Sequence, residues 1–202
     1  MMIGHTLSML ARQTLRKLYV ERKLSMAQVA DTLGCSNHKV EYWLKRHGIE
    51  RRSRSDAGYI RKNPHGDPFN LKTIVTKEDA YLYGVGIGLY WGEGTKANQY
   101  SVRLGNSDPR LIATFIEFLV KLFGVKRSDL RFGLQIFTDI DAEKALDYWS
   151  KTLLVQTTQF YKPHVTRSIR KGTYAYKSQY GVVTVYYNNK KLRDIIVNAL
   201  PR

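Results

Sequence analysis

Three glycines constrain this chain more than any other feature. In the stretch 80–94, AYLYGVGIGLYWGEG, Gly84, Gly88 and Gly92 recur every four residues, the spacing that aligns positions on one face of an α-helix. Thr76 with Asp79 three positions later supplies an N-terminal cap, so the spacing predicts a helix from there to about Glu93. A glycine inside a helix costs about 1 kcal/mol against alanine. Three on one face, with Gly86 besides, call for compensation. Close approach of a second helix supplies it, because small residues let two backbones nearly touch. Tyr83, Ile87, Leu89, Tyr90 and Trp91 are then expected to pack into the domain.

The same stretch ends in an acid. Two copies meeting along Gly84, Gly88 and Gly92 would bring two Glu93 carboxylates together near a twofold axis. A carboxylate pair suits a divalent cation such as Mg2+, which activates water and stabilises the leaving oxygen of a phosphodiester. The alternative is a buried glycine-rich helix with an incidental terminal acid.

Charge points to a polyanionic partner. The 202 residues carry 33 Lys+Arg against 17 Asp+Glu, a formal net charge of +16. Residues 1–75 hold 14 basic and 6 acidic side chains, and residues 76–202 hold 19 and 11, so each part is net +8. Both parts are candidates to face phosphate. A hydrophobic content of 43% supports real cores and argues against wholesale disorder. The single Cys35 excludes an internal disulfide framework and any cysteine-based zinc site. His5, His38, His47, His65 and His164 are scattered without metal-ligand spacing. The N-terminus lacks a signal pattern, and the apolar stretch around 80–92 is too short and too glycine-rich to span a bilayer. The expectation is a soluble, cytoplasmic protein with no membrane partner and no small-molecule substrate.

Residues 1–50 read as an all-α domain. In 25–47, SMAQVADTLGCSNHKVEYWLKRH, Ser25 with Gln28 forms a capping box for a helix carrying Val29, Ala30 and Leu33. Gly34 ends it and Ser36 caps the next helix, on which Val40, Trp43, Leu44 and His47 share a face. Leu15, Leu18 and Tyr19 supply a supporting helix. Helix, tight turn, helix is the helix-turn-helix layout, whose second helix enters the major groove of double-stranded DNA. The opposite face offers Asn37, His38, Lys39, Glu41, Tyr42, Lys45 and Arg46. Asn and Lys reach base edges, and Lys45 and Arg46 neutralise phosphates. An ordinary three-helix cap with a solvated polar face is the alternative. Residues 51–75 read as a basic linker, in which Arg51, Arg52 and Arg54 could follow a minor groove or the backbone.

Residues 76–202 mix helices with strands at 100–105, 130–137 and 181–187. Helices are expected from Asp108–Pro109, over 142–154 and over 190–200. The fold class is α+β, an all-α domain followed by a mixed domain with a small antiparallel sheet.

The glycine stretch resembles the LAGLIDADG motif of homing endonucleases. Gly88-Leu89 match its central pair, and Gly92-Glu93-Gly94 its terminal segment. The resemblance covers roughly residues 76–200 and puts Glu93 at the family's metal-binding position. Trp91 stands where the first acid often does, and only 13 positions, Thr95–Ser107, precede the Asp108 helix, too few for the family's long β-hairpin. A DNA-reading surface must then be small, or built from later strands such as 130–137 and 181–187. Lys96 would assist as a charge near the scissile phosphate or be a solvated loop lysine. The resemblance implies a site-specific, metal-dependent endonuclease acting as a homodimer. The alternative is a non-catalytic transcription regulator with the same domains, which the compact spacing resembles. An RNA-binding protein fits the charge but not the helix-turn-helix.

Overall fold

The computed structural model describes residues 9–168 and 178–201. His5 and the first residues of the chain, on which the expectation of no signal pattern falls, lie outside the described residues. The chain divides into two compact units, Met1–Asp67 and Pro68–Arg202.

The first unit is all helical. Helix α1 (Arg12–Leu15) continues as a π-helical stretch, Arg16–Glu21. Helix α2 (Met26–Leu33) begins with the reciprocal Ser25/Gln28 box, and Gly34 closes it at φ +59°, a left-handed conformation that glycine adopts without a β-carbon clash. Ser36 caps α3 (Asn37–Arg46) through the Lys39 amide. Leu15, Leu18, Tyr19, Val29, Ala30, Val40 and Leu44 form the core, with Trp43 packed at its margin. His47 extends the α3 face: its Nε2 lies 2.7 Å from the Leu10 carbonyl and its ring stacks on Trp43.

The stretch read as an aperiodic linker, 51–75, is structured. Helix α4 (Arg54–Lys62) starts at Ser53, whose hydroxyl accepts from the Asp56 amide. A basic, turn-rich composition concealed a nine-residue helix because none of its residues is buried, so no apolar stripe marks it. Residues from Pro68 onward belong to the second unit. Phe69 is 8% exposed in that unit's core, and the amides of Asn70 and Lys72 donate to the carbonyls of Phe123 and Leu122. This strap satisfies carbonyls left open at a helix C-terminus. Lys72 then pairs with Asp79, at 3.0 Å from Oδ1, and that hydrogen bond holds the Asp79 carboxyl below its ordinary range.

The second unit is mixed α and β. Helix α5 (Lys77–Glu93) is capped by Thr76. Strand β1 (Val102–Asn106) leads to α6 (Pro109–Phe123), capped by Asp108 with Pro at the start and Gly124 at the end. Then follow β2 (Arg131–Phe137), α7 (Ala142–Leu153), β3 (His164–Thr166), β4 (Val182–Tyr187) and α8 (Lys190–Asn198). The strands form one sheet in the order β1-β4-β2-β3. Here the expectation of an antiparallel sheet is corrected: β1–β4 and β4–β2 are antiparallel, but β2 and β3 run parallel. Strand β3 has three residues, two of them exposed, so it lacks the alternating apolar signal that betrays its neighbours.

One face of the sheet is the core. Val102, Leu104, Phe132, Leu134, Ile136, Val183, Val185 and Tyr187 alternate inward and meet Ile112, Phe115, Ile116, Phe118 and Leu119 of α6 and Trp149 of α7. No helix among the described residues is long and apolar enough to cross a membrane.

Because Phe69 anchors the strap to this core, Phe69→Ala is expected to destabilise the second unit by about 3–5 kcal/mol. Urea unfolding followed at Trp149 measures it. A loss under about 1 kcal/mol would return residues 68–75 to linker status.

Candidate nucleic-acid interface

Helix α5 presents two unlike faces, and its glycines divide between them. A β-carbon built on Gly86 would sit 2.2 Å from the Phe118 ring, so Gly86 admits α6 against α5. At Gly84, Gly88 and Gly92 a built β-carbon meets nothing within 4 Å among the described residues. Those three glycines are exposed, and Tyr81 and Trp91, on the same side at helical spacing, are 75% and 56% exposed. The expectation that Trp91 packs into the domain is therefore corrected. Tyr83, Ile87, Leu89 and Tyr90 do face inward, since all four belong to or abut the core. From Ala80 to Gly92 the helix carries no charge, so the outward face is uncharged although exposed.

Glu93 is the last residue of α5 and is exposed. Its position is set from behind. Tyr90 is fully buried and stacks on Phe115, and burial pushes its phenol above the ordinary range. Gly94 lies against it so closely that a β-carbon would stand 2.4 Å from the Tyr90 carbonyl oxygen. The chain then joins the sheet at once: Gly94 bridges Leu104, and the Thr95 amide donates to the Arg103 carbonyl. The carboxylate thus projects where the helix meets the edge strand β1. Among the described residues no group of three or more His, Cys, Asp or Glu could hold a metal ion. A divalent cation at Glu93 would need further oxygens, from a second copy's carboxylate, water or phosphate, to complete its shell.

Lys96 is near Glu93 in sequence but is committed to the backbone. Its ammonium donates to the Trp91 carbonyl at 2.7 Å, capping the helix end and offsetting the unfavourable placement of an acid there. The following loop is held by Arg193 of α8, which donates to the carbonyls of Lys96 at 2.6 Å and Asn98 at 3.0 Å. Sequence reading missed Arg193, because its partners lie nearly a hundred positions away.

The second face of the sheet is polar. Arg103, Tyr186 and Arg131 are paired across β1, β4 and β2; next comes Gly105, Thr184 and Gly133, and then Val182, Gln135 and His164. None of these nine is buried. Arg103 stands over the Tyr186 ring at 5.2 Å, and Tyr161 meets that ring edge-on. The signal for this surface was legible as alternation in 131–137 and 182–187, but only the register shows which residues share a rung.

In the first unit, Asn37, His38, Tyr42, Lys45 and Arg46 are exposed along α3, and Lys39 is half-buried. Glu41 pairs with Arg51, so the acid on this face is neutralised from within. Arg52 is not part of a free arm. Its guanidinium lies 4.0 Å from the Tyr19 ring centroid and donates to the carbonyls of Tyr19, Lys23 and Leu24, while its amide donates to the Tyr19 hydroxyl. It closes the end of the first helix. Arg54 is exposed at the start of α4.

No family model, curated protein or solved structure matches this chain.

Arg52→Ala is expected to weaken the first unit by about 2 kcal/mol, through lost charged hydrogen bonds and the ring contact. Hydrogen exchange of amides 12–24 should accelerate accordingly. An unchanged exchange rate, with DNA affinity alone reduced, would make Arg52 a contact residue instead.

Proposed function

We propose that this protein is a homodimeric, site-specific double-stranded DNA-binding protein, and that it is a metal-dependent endonuclease of the LAGLIDADG type. The observation that carries the reading is the outward face of α5. A β-carbon at its period-four glycines would meet nothing within 4 Å among the described residues, the face is uncharged, and it ends in an exposed carboxylate beside the sheet edge. A second α5 laid on this face buries it, with Tyr81 and Trp91 closing the two ends, and brings two Glu93 residues together.

The DNA surface has two parts in this reading. Helix α3 enters a major groove through Asn37, His38, Lys39 and Tyr42, with Lys45, Arg46, Arg51 and Arg54 near the backbone. The polar sheet face supplies Arg103, Arg131, Tyr186 and Gln135, whose donors match phosphate and base edges. Mg2+, held by Glu93 from both copies, would lower the pKa of a bound water and neutralise the departing oxygen. The chain's own contribution is positional: Tyr90, Gly94 and the Arg193-held loop keep each Glu93 in place at the end of α5. Lys96 holds the Trp91 carbonyl with one of its three N–H donors and has two for a phosphate.

One observation favours the second reading, a DNA-binding regulator that does not cut. Lys96 caps the end of α5 through the Trp91 carbonyl, which is the work of a structural lysine.

Two experiments separate these. Gly88→Leu places a bulky side chain on the proposed contact and should convert a dimer to monomer or aggregate in sedimentation. A parent that remains monomeric both free and on DNA removes the homodimer. Glu93→Gln keeps shape and removes charge. It should bind DNA at least as well as the parent, because two facing carboxylates repel phosphate, and lose magnesium-dependent cleavage of a plasmid library by at least about a hundredfold. A parent that binds a defined site and cuts nothing with any divalent cation establishes the regulator.

A further inference from the structure

Helix α4 sits at the margin of its unit. None of its nine residues is buried, and neither Tyr59 nor Ile60 joins the core of the first unit. An isolated helix of this length is marginal in water. Local bonds contribute to holding it: the Ser53–Asp56 cap at its start, and at its end the Asn63 side chain on the Tyr59 carbonyl and the Tyr59 hydroxyl on Asp67.

The helix is nevertheless strongly patterned by charge. Arg54, Arg61 and Lys62 stand at spacings of seven and eight, which is one face, with Ala57 and Gly58 between them. Tyr59 and Ile60, both half-buried, and Asp56 lie on the other side. The three basic residues are exposed, and none enters an ion pair among the described residues. A β-carbon at Gly58 meets nothing within 4 Å. The middle of the basic face is therefore flat, and a polyanion can reach the helix backbone between its charged ends.

We propose that α4 is a second nucleic-acid-binding element, lying along the phosphate backbone of duplex DNA through Arg54, Arg61 and Lys62, with Gly58 at the point of closest approach. This rests on the DNA-binding reading above and adds to it a helix that reads no bases. Its three cations lie along the backbone and go to phosphate oxygens, which position a protein on the duplex without reading sequence. Contact with the strand adds to the local bonds that hold the helix.

The test uses the full chain and a mixed-sequence DNA duplex several helical turns long, with affinity measured over a range of salt. Replacing Arg54, Arg61 and Lys62 together by Ala should flatten the slope of log affinity against log salt by roughly two to three, at about 0.9 per phosphate contact. Amides 54–62 of the parent should exchange more slowly on DNA than free. Gly58→Leu raises helix propensity yet should weaken binding several-fold, so a loss cannot be ascribed to a melted helix. An unchanged slope in the triple variant, with parent binding intact, overturns the role of α4 and leaves the broader reading standing. Parent-like affinity in Gly58→Leu likewise overturns the close approach. A parent that does not bind the duplex at all overturns both.

Discussion

The second unit depends on how closely α5 approaches α6 at Gly86. The Phe118 ring occupies the space where any β-carbon at that position would stand. Around this contact the aromatic rings interlock: Phe118 with Tyr83, Phe115 and Phe123, and Phe115 with Tyr90. Because interiors are close-packed, a helix seated so tightly has one rotational setting. That setting turns Gly84, Gly88 and Gly92 to solvent, buries Tyr90 and delivers Glu93 to the edge of β1. The outward face of α5 and the placement of its carboxylate both follow from one missing side chain.

The first unit is organised around a different interaction. A small helical core of seven buried residues is completed by Arg52, whose guanidinium collects three carbonyls at the end of the first helix and lies on Tyr19. A cation serves well there because carbonyl dipoles converge at a helix C-terminus. The consequence for function is a division among neighbouring arginines: Arg52 is structural, Arg51 neutralises Glu41, and Arg54 opens a helix whose basic face is unpaired among the described residues. In composition the three are indistinguishable.

Local signals are plain in this sequence. The Ser25–Gln28 box, Gly34, Ser36, Thr76, Asp108–Pro109 and the periodicities that follow them mark helices found within a residue or two of expectation, because a cap and its helix are set by neighbours four positions apart. The strands at 131–137 and 182–187 were legible for the same reason, through alternation. Helix α4 and strand β3 were not, since neither buries a residue and hydrophobic periodicity is silent on such elements. The place of 68–75 was hidden too: only contact with the end of α6 shows Phe69 to be core rather than linker.

By itself the sequence determined that this chain makes capped helices and alternating strands, carries its charge on both parts, and places an acid after a period-four glycine helix. Those are properties of short segments and of composition. The tertiary structure decided which glycine serves the core and which three face outward, which arginine is a strut, that β2 and β3 run parallel, and which polar residues share a rung of the sheet. Each of these depends on groups far apart in the chain meeting at contact distance, and no local pattern specifies which groups those are.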